Sequence, residues 1–195
     1  ATAFNQPIGN WSTGNVTSMA SMFDRASAFD QDISTWIVSN VTNFGFAGMF
    51  RGASMFNQDI SNWNISGATN LNSMFRNATS FNQDISNWDV SNVSGMNRMF
   101  ENATSFAQNL GNWNISNVTS MVGMFDSVTL SRPNYDSLLI GWSAQPVQMN
   151  VSFSGGNSQY CAGAVGRQQL IDQFGWTITD GGLDCDPSDH FVTTW

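Results

Sequence analysis

Three aspartates recur at one place in a repeating phrase, Asp32, Asp59 and Asp84, with Pro7 and Asn109 at the flanking positions. Carboxylates brought close by stacking repel one another unless each accepts backbone N–H groups or a cation lies between them. Two chemistries are therefore open to this row, turn capping and calcium binding, and turn capping is the preferred one. Catalysis has fewer means. His190 is the one histidine, so Ser-His-Asp or Cys-His chemistry would rest on it alone. Cys161 and Cys185 are the two cysteines, too few ligands for a metal site. With no nucleophile–base pair, paired glutamates, metal-ligand spacing or glycine-rich phosphate loop, the chain reads as a non-enzyme.

The elements that position these residues come from a repeat. The phrase Phe-Asn-Gln-Asp-Ile-Ser-Asn-Trp stands intact at Phe81 to Trp88 and nearly so from Phe4, Phe29, Phe56 and Phe106. Its tryptophans fall at Trp11, Trp36, Trp63, Trp88 and Trp113, a period of 25 residues with one slip of two near Phe44 to Ala47. A Met-Phe pair follows each, from Met22-Phe23 to Met124-Phe125. So short a unit cannot bury its own apolar face, so the copies are expected to stack as a solenoid with one shared core.

In the copy from Phe81 to Ser105, Ile85, Trp88 and Val90 follow the apolar pattern with which a leucine-rich repeat enters a short strand. Met96, Met99, Phe100 and Ala103 have helical spacing, with Ser94 and its equivalents Thr17, Thr42, Thr69 and Thr119 placed to cap that helix. The expected fold is α/β: a leucine-rich-repeat-like solenoid of about five 25-residue strand-turn-helix coils over residues 1–130, starting near Phe4, Phe29, Phe56, Phe81 and Phe106. The rows Gln6, Gln31, Gln58, Gln83, Gln108 and Asn15, Asn40, Asn92, Asn117, the latter broken by Gly67, read as structural amide ladders.

Six arginines, no lysine and a formal net charge of -8 oppose binding to phosphate backbones or anionic membrane surfaces, so neither nucleic acid nor a bilayer is an expected partner. Apolar runs fall short of the roughly 20 residues a bilayer span needs. A start at Ala1, almost on a repeat, leads us to expect a piece of a longer polypeptide with further modules on both sides.

The string MFRNATSFNQDISNWDVSNVSGMNRMF resembles the repeat of the BspA-like leucine-rich-repeat surface proteins, the bacterial surface protein 26-residue repeat, and the resemblance extends from Phe4 to about Phe125. The segments NYDSLLIGWSAQ and YCAGAVGRQQLIDQFGWTITDGG resemble the closing region of such proteins. The resemblance implies secretion or surface attachment, adhesion to host matrix proteins, and no catalytic residues.

After Phe125 the phrase stops. Tyr135, Leu138, Leu139 and Trp142 keep helical spacing, Met149, Val151 and Phe153 alternate as a strand, a second helix is expected over 162–174 and a last strand at Trp176 to Thr179. Residues 131–183 are thus expected to form an α/β cap, and 184–195 a linker plus the opening strand of a truncated module. In an exported protein, Cys161 and Cys185 flanking one helix-strand unit are expected to form a disulfide. Ten N-x-S/T sequons occur, nearly all within the repeat, and most read as turn and cap chemistry.

These readings give a non-catalytic adhesion or binding module, secreted or at the cell surface, that recognises an extracellular matrix or cell-surface protein, or a glycan. Its expected site is the polar strand face: Asn62, Asn64, Ser66, Asn87, Asp89, Ser91, Asn112, Asn114 and Ser116. The alternative is a structural spacer in a larger surface protein. Either form could carry calcium at Asp32, Asp59 and Asp84. The aromatic-rich insertion Phe44-Gly45-Phe46 reads as a packing accommodation.

Overall fold

A computed structural model describes residues 1–185. Like phrases at a fixed period put like groups against like, and the backbone shows how each contact is satisfied. Parallel bridges join Ser18 to Asn43, Asn43 to Asn70, Asn70 to Gly95 and Gly95 to Ser120. Beside this column each Met-Phe segment alternates two kinds of hydrogen bond. The N–H groups of Met96, Arg98, Phe100 and Asn102 donate to Ser120, Val122, Met124 and Asp126 of the next layer; those of Met99, Glu101 and Ala103 close turns on Met96, Arg98 and Phe100.

No helix forms there, contrary to the expected strand-turn-helix coil. Met96, Met99, Phe100 and Ala103 are all buried, but Arg98 and Asn102 take φ of 54° and 59°, and a left-handed residue ends a right-handed helix. The same two places are left-handed in every layer: Ser21, Gly48, Ser73, Arg98 and Gly123, then Arg25, Gly52, Asn77, Asn102 and Ser127. Ser94 caps nothing helical. Its N–H and hydroxyl both donate to the Thr69 carbonyl, and Thr42, Thr69 and Thr119 repeat this on their own preceding layers. The expected strand at Trp88 to Val90 is a short segment between turns with no backbone hydrogen bond to a neighbouring layer. Tight turns at Asp84–Ser86 and Asp89–Ser91 leave it too short to pair.

Inside the layers the rings form two parallel columns. Phe23, Phe50, Phe75, Phe100 and Phe125 stack at 5.6, 5.6, 5.7 and 5.3 Å between centroids. Phe29, Phe56, Phe81 and Phe106 stack beside them at 5.8, 6.1 and 6.1 Å. Each buried tryptophan donates its indole N–H downward: Trp36 to Ile8, Trp63 to Ile33, Trp88 to Ile60 and Trp113 to Ile85, at 3.0–3.2 Å. Burying the ring while satisfying its one polar group is what makes tryptophan usable at this position.

Stacking continues after the phrase ends. The described helices and strands are α1 (Arg132–Ser143), β1 (Ser152–Ser154), α2 (Ala164–Phe174) and β2 (Thr177–Thr179). Met121 bridges to Phe153, and β1 pairs in parallel with β2 through Phe153 and Ile178. Trp142 of α1 donates to the Leu110 carbonyl at 3.0 Å, the bond its predecessors make. Helices α1 and α2 thus take the edge that the phrase occupies earlier, and residues 131–183 add two helix-and-strand layers rather than merely covering an end.

Three devices fasten these layers. Asp136 of α1 accepts from the N–H groups of Cys161 and Gly163 at 2.8 and 2.7 Å, holding the start of α2. Arg167 of α2 pairs with Asp180 at 2.7 Å, and Asp180 also accepts from the Tyr135 hydroxyl at 2.9 Å. Burial, then the Asp180 charge and hydrogen bond, push the Tyr135 pKa far up, so the phenol stays protonated. Cys161 and Cys185 form a disulfide. Asp184 donates its N–H to Tyr160, so the tail expected from residue 184 begins tied to the stack. The remainder, with His190 and the expected strand at Phe191 to Trp195, lies outside the described residues.

Candidate functional site

The nine residues expected on a strand face lie instead on short segments and turns, in three rows running up the stack, and their chemistry separates the rows. Asn64, Asp89 and Asn114 each fold back on their own layer: the Oδ1 atoms accept from the N–H groups of Ser66, Ser91 and Ser116 at 3.1, 3.0 and 3.1 Å. Asn64 and Asn114 also accept from the hydroxyls of Ser66 and Ser116 at 2.7 Å. These two rows are turn caps. Asn64, Asp89 and Asn114 are nonetheless exposed.

Asn62, Asn87 and Asn112 differ. All three are exposed, and no side-chain hydrogen bond to another described residue engages them. Each presents two N–H donors and one carbonyl acceptor to solvent. Thr35, at the same place one layer earlier, donates to Gly9, and Asn10 continues the exposed row at the first layer. The sequence does not distinguish free from capping asparagines, because both recur with the same period.

Each carboxylate of the aspartate row caps a turn. Asp32, Asp59 and Asp84 accept from the N–H groups of Ser34, Ser61 and Ser86 at 2.9 Å, and Asn109 does the same for Gly111. The serine hydroxyl first, then this N–H, hold all three carboxylates below the usual aspartate pKa, and Ser91 does so for Asp89. Among the described residues no three His, Cys, Asp or Glu side chains converge to hold a metal ion.

Both amide ladders are internal fasteners. Gln31, Gln58, Gln83 and Gln108 donate to Asn5, Asp30, Asn57 and Asn82 of the layer before, and Asn40, Asn92 and Asn117 donate to Gly14, Ser66 and Ser91. A charged row escaped the sequence reading although it lies in register after each Met-Phe pair: Asp24, Arg51, Arg76, Glu101 and Asp126. Asp24 takes Arg51 in a two-point pair at 2.6 and 2.8 Å, and Arg76 takes Glu101 at 2.9 Å. At the insertion, Phe44 is buried while Phe46 projects at 82% exposure with φ of 66°. Among the described residues no helix is long and apolar enough to cross a membrane.

A family model described as "Mycoplasma protein of unknown function, DUF285" matches residues 1–46 and 45–138. No curated protein matches, and no solved structure matches. The two family matches meet at the insertion, and the second enters α1. With residues 1–138 of its 195 accounted for by that model, the chain belongs to the DUF285 family.

Proposed function

We propose that this chain is a non-catalytic binding module, a solenoid of the BspA-like kind acting outside the cell, that recognises an extracellular protein or a glycan through the free amide row Asn62, Asn87 and Asn112. The observation that carries this reading is the contrast between that row, exposed and unengaged, and neighbouring polar rows that serve the fold. Uncharged amides one layer apart, about 4.8 Å along a stacked backbone, match sugar hydroxyls or an extended peptide backbone better than a charged ligand. The disulfide agrees with an oxidising compartment.

Binding to a panel of matrix proteins and glycans tests it, with Asn62→Ala/Asn87→Ala/Asn112→Ala run beside the wild type. At about 1 kcal/mol for each lost hydrogen bond, the triple variant loses roughly a hundredfold in affinity while its melting temperature stays within a degree or so of wild type. Equal affinity in variant and wild type moves the site elsewhere. A spacer is the second reading, favoured by the glutamine and asparagine ladders that tie layer to layer. It predicts no saturable binding to any member of the panel.

A further inference from the structure

The free amides form a series with a fixed step. Asn62, Asn87 and Asn112 stand at one place in three successive layers, and parallel backbone bridges join those layers, so the step is about 4.8 Å. The series runs along the flank of the stack, and its exposure does not depend on what adjoins either end. Its limits lie inside the chain. One layer before Asn62 the place is held by Thr35, whose hydroxyl donates to Gly9, and Ile37 beside it is 61% exposed. Past Asn112 the phrase gives way to α1, and Asn112 opens into a depression of about 790 Å³ that Ser137 and Ile140 also wall.

A ligand that engages all three amides must repeat with that step. An extended peptide does not: it rises about 3.3 Å per residue and presents like-facing side chains roughly 6.7 Å apart, so neither its backbone groups nor its side chains keep register with successive asparagines. An extended chain of equatorially linked pyranose sugars advances by close to one layer per sugar. Each sugar offers hydroxyls that both donate and accept, and a carboxamide answers with two N–H donors and one carbonyl acceptor. Charge narrows the class further. Among Asn62, Asn64, Asn87, Asp89, Asn112 and Asn114 the one charged group is Asp89, and the chain carries a formal net charge of -8. A uronate or sulfated chain would meet repulsion on this face and no cation to offset it.

We propose that the amide row is a track for an unbranched, uncharged, β-linked glycan lying along the stack, one sugar per layer, with its terminal sugar in the depression at Asn112. The inference rests on the binding-module reading above and names the ligand class of that same site. The depression has the size of a small-ligand site, and Ile140, 49% exposed, offers an apolar side chain to the C–H face of the end sugar. The remaining sugars then pass over Asn112, Asn87 and Asn62 in turn.

Titration calorimetry on the full chain tests this, with β-1,4-linked oligomers of glucose and of N-acetylglucosamine one to six sugars long, and the matrix-protein panel run alongside. Affinity for one oligomer series is expected to rise about fivefold with each added sugar, roughly one net hydrogen bond per layer, as far as four sugars, and to flatten at five and six. Asn112→Ala should weaken every length, whereas Asn62→Ala should weaken only the tetramer and longer chains. A uronate oligomer of equal length should bind more weakly than the neutral one. A matrix protein that binds through the three asparagines while no oligomer binds overturns the glycan and leaves the binding module standing. Affinity independent of chain length, or oligomer binding that survives Asn62→Ala/Asn87→Ala/Asn112→Ala, overturns the placement along the row. Failure of every oligomer and every panel member overturns both readings.

Discussion

The repeat layers and the two layers that follow them solve one packing problem in opposite ways. In the repeats, rings at equivalent places lie nearly parallel, with Phe50 and Phe75 at 4°, Phe81 and Phe106 at 3°, and Phe100 and Phe125 at 4°. Beyond them Phe153 turns edge-on, at 85° to Phe125, 62° to Trp142 and 62° to Trp176. Repeated sequence imposes repeated orientation, because each ring meets a copy of itself. Unique sequence is free of that constraint and fills the space with crossed rings. Fastening differs too: amide ladders and the ion pairs Asp24–Arg51 and Arg76–Glu101 run through the repeats, while the later layers add a partly buried ion pair, a carboxylate shared by two N–H groups and a disulfide. A fault in a ladder is shared between like neighbours, whereas a fault in a unique contact stays where it is.

Phe75→Ala breaks the comparison hardest. It opens a gap in one ring column and removes contacts to Phe50, Phe81 and Phe100. The expected cost is about 4 kcal/mol in chemical denaturation, with repeats and later layers unfolding together because the column ends on Phe153. A cost under about 1 kcal/mol would show that the column is not the common core.

Reducing the Cys161–Cys185 disulfide sharpens the contrast from the other side. It frees a link with a sequence separation of 24, for an expected loss of about 3 kcal/mol. Native-state hydrogen exchange should then quicken over α2 and β2 first, with the N–H groups of Met96 to Asn102 still protected. Uniform quickening along the chain would mean that the two regions do not differ in how they are fastened.

The smallest expected effect is acid sensitivity, which belongs to the repeats. Asp32, Asp59, Asp84 and Asp89 have folded pKa values below their unfolded values of about 3.9. Depressed values stabilise above the unfolded pKa, and that contribution is lost as pH falls through the folded values. Melting temperature followed downward from pH 5 should therefore fall less in Asp32→Asn/Asp59→Asn/Asp84→Asn than in wild type. A chelator at pH 7 should leave the wild-type melting temperature unchanged; a drop would return the row to calcium.

Much of this was legible because periodicity reports burial. Ile85, Trp88, Val90, Val93, Met96, Met99, Phe100 and Ala103 follow from one copy of the phrase, and all are buried. The same spacing gave the wrong local structure, since i, i+3, i+4 and i+7 also arise in successive turns that break at left-handed residues. Asn77 and Asn102 tolerate that conformation and hint at it. Ser73 and Arg98 give no such hint, because contacts with the next layer hold them there. Continuation of the stack was hidden for another reason: Trp142 follows Trp113 by 29 residues, since a helix needs more chain than the phrase to reach the same point. At the candidate site, Asn62 and Asn64 look alike in sequence, and the turn of the backbone rather than the residue type two places on decides which one caps, since Asn109 caps Gly111.

The insertion in the second layer has a consequence for how such a chain can change. Phe44 and Phe50 keep their bonds to Asn70 and Met74 of the next layer, and the Met49 N–H closes back on Phe44 at 2.9 Å. Phe46 is thrown outward while the layers on either side keep their register. That corner is therefore a port in the architecture, a place where duplication or grafting can lengthen the loop and display new side chains without disturbing the lattice behind it.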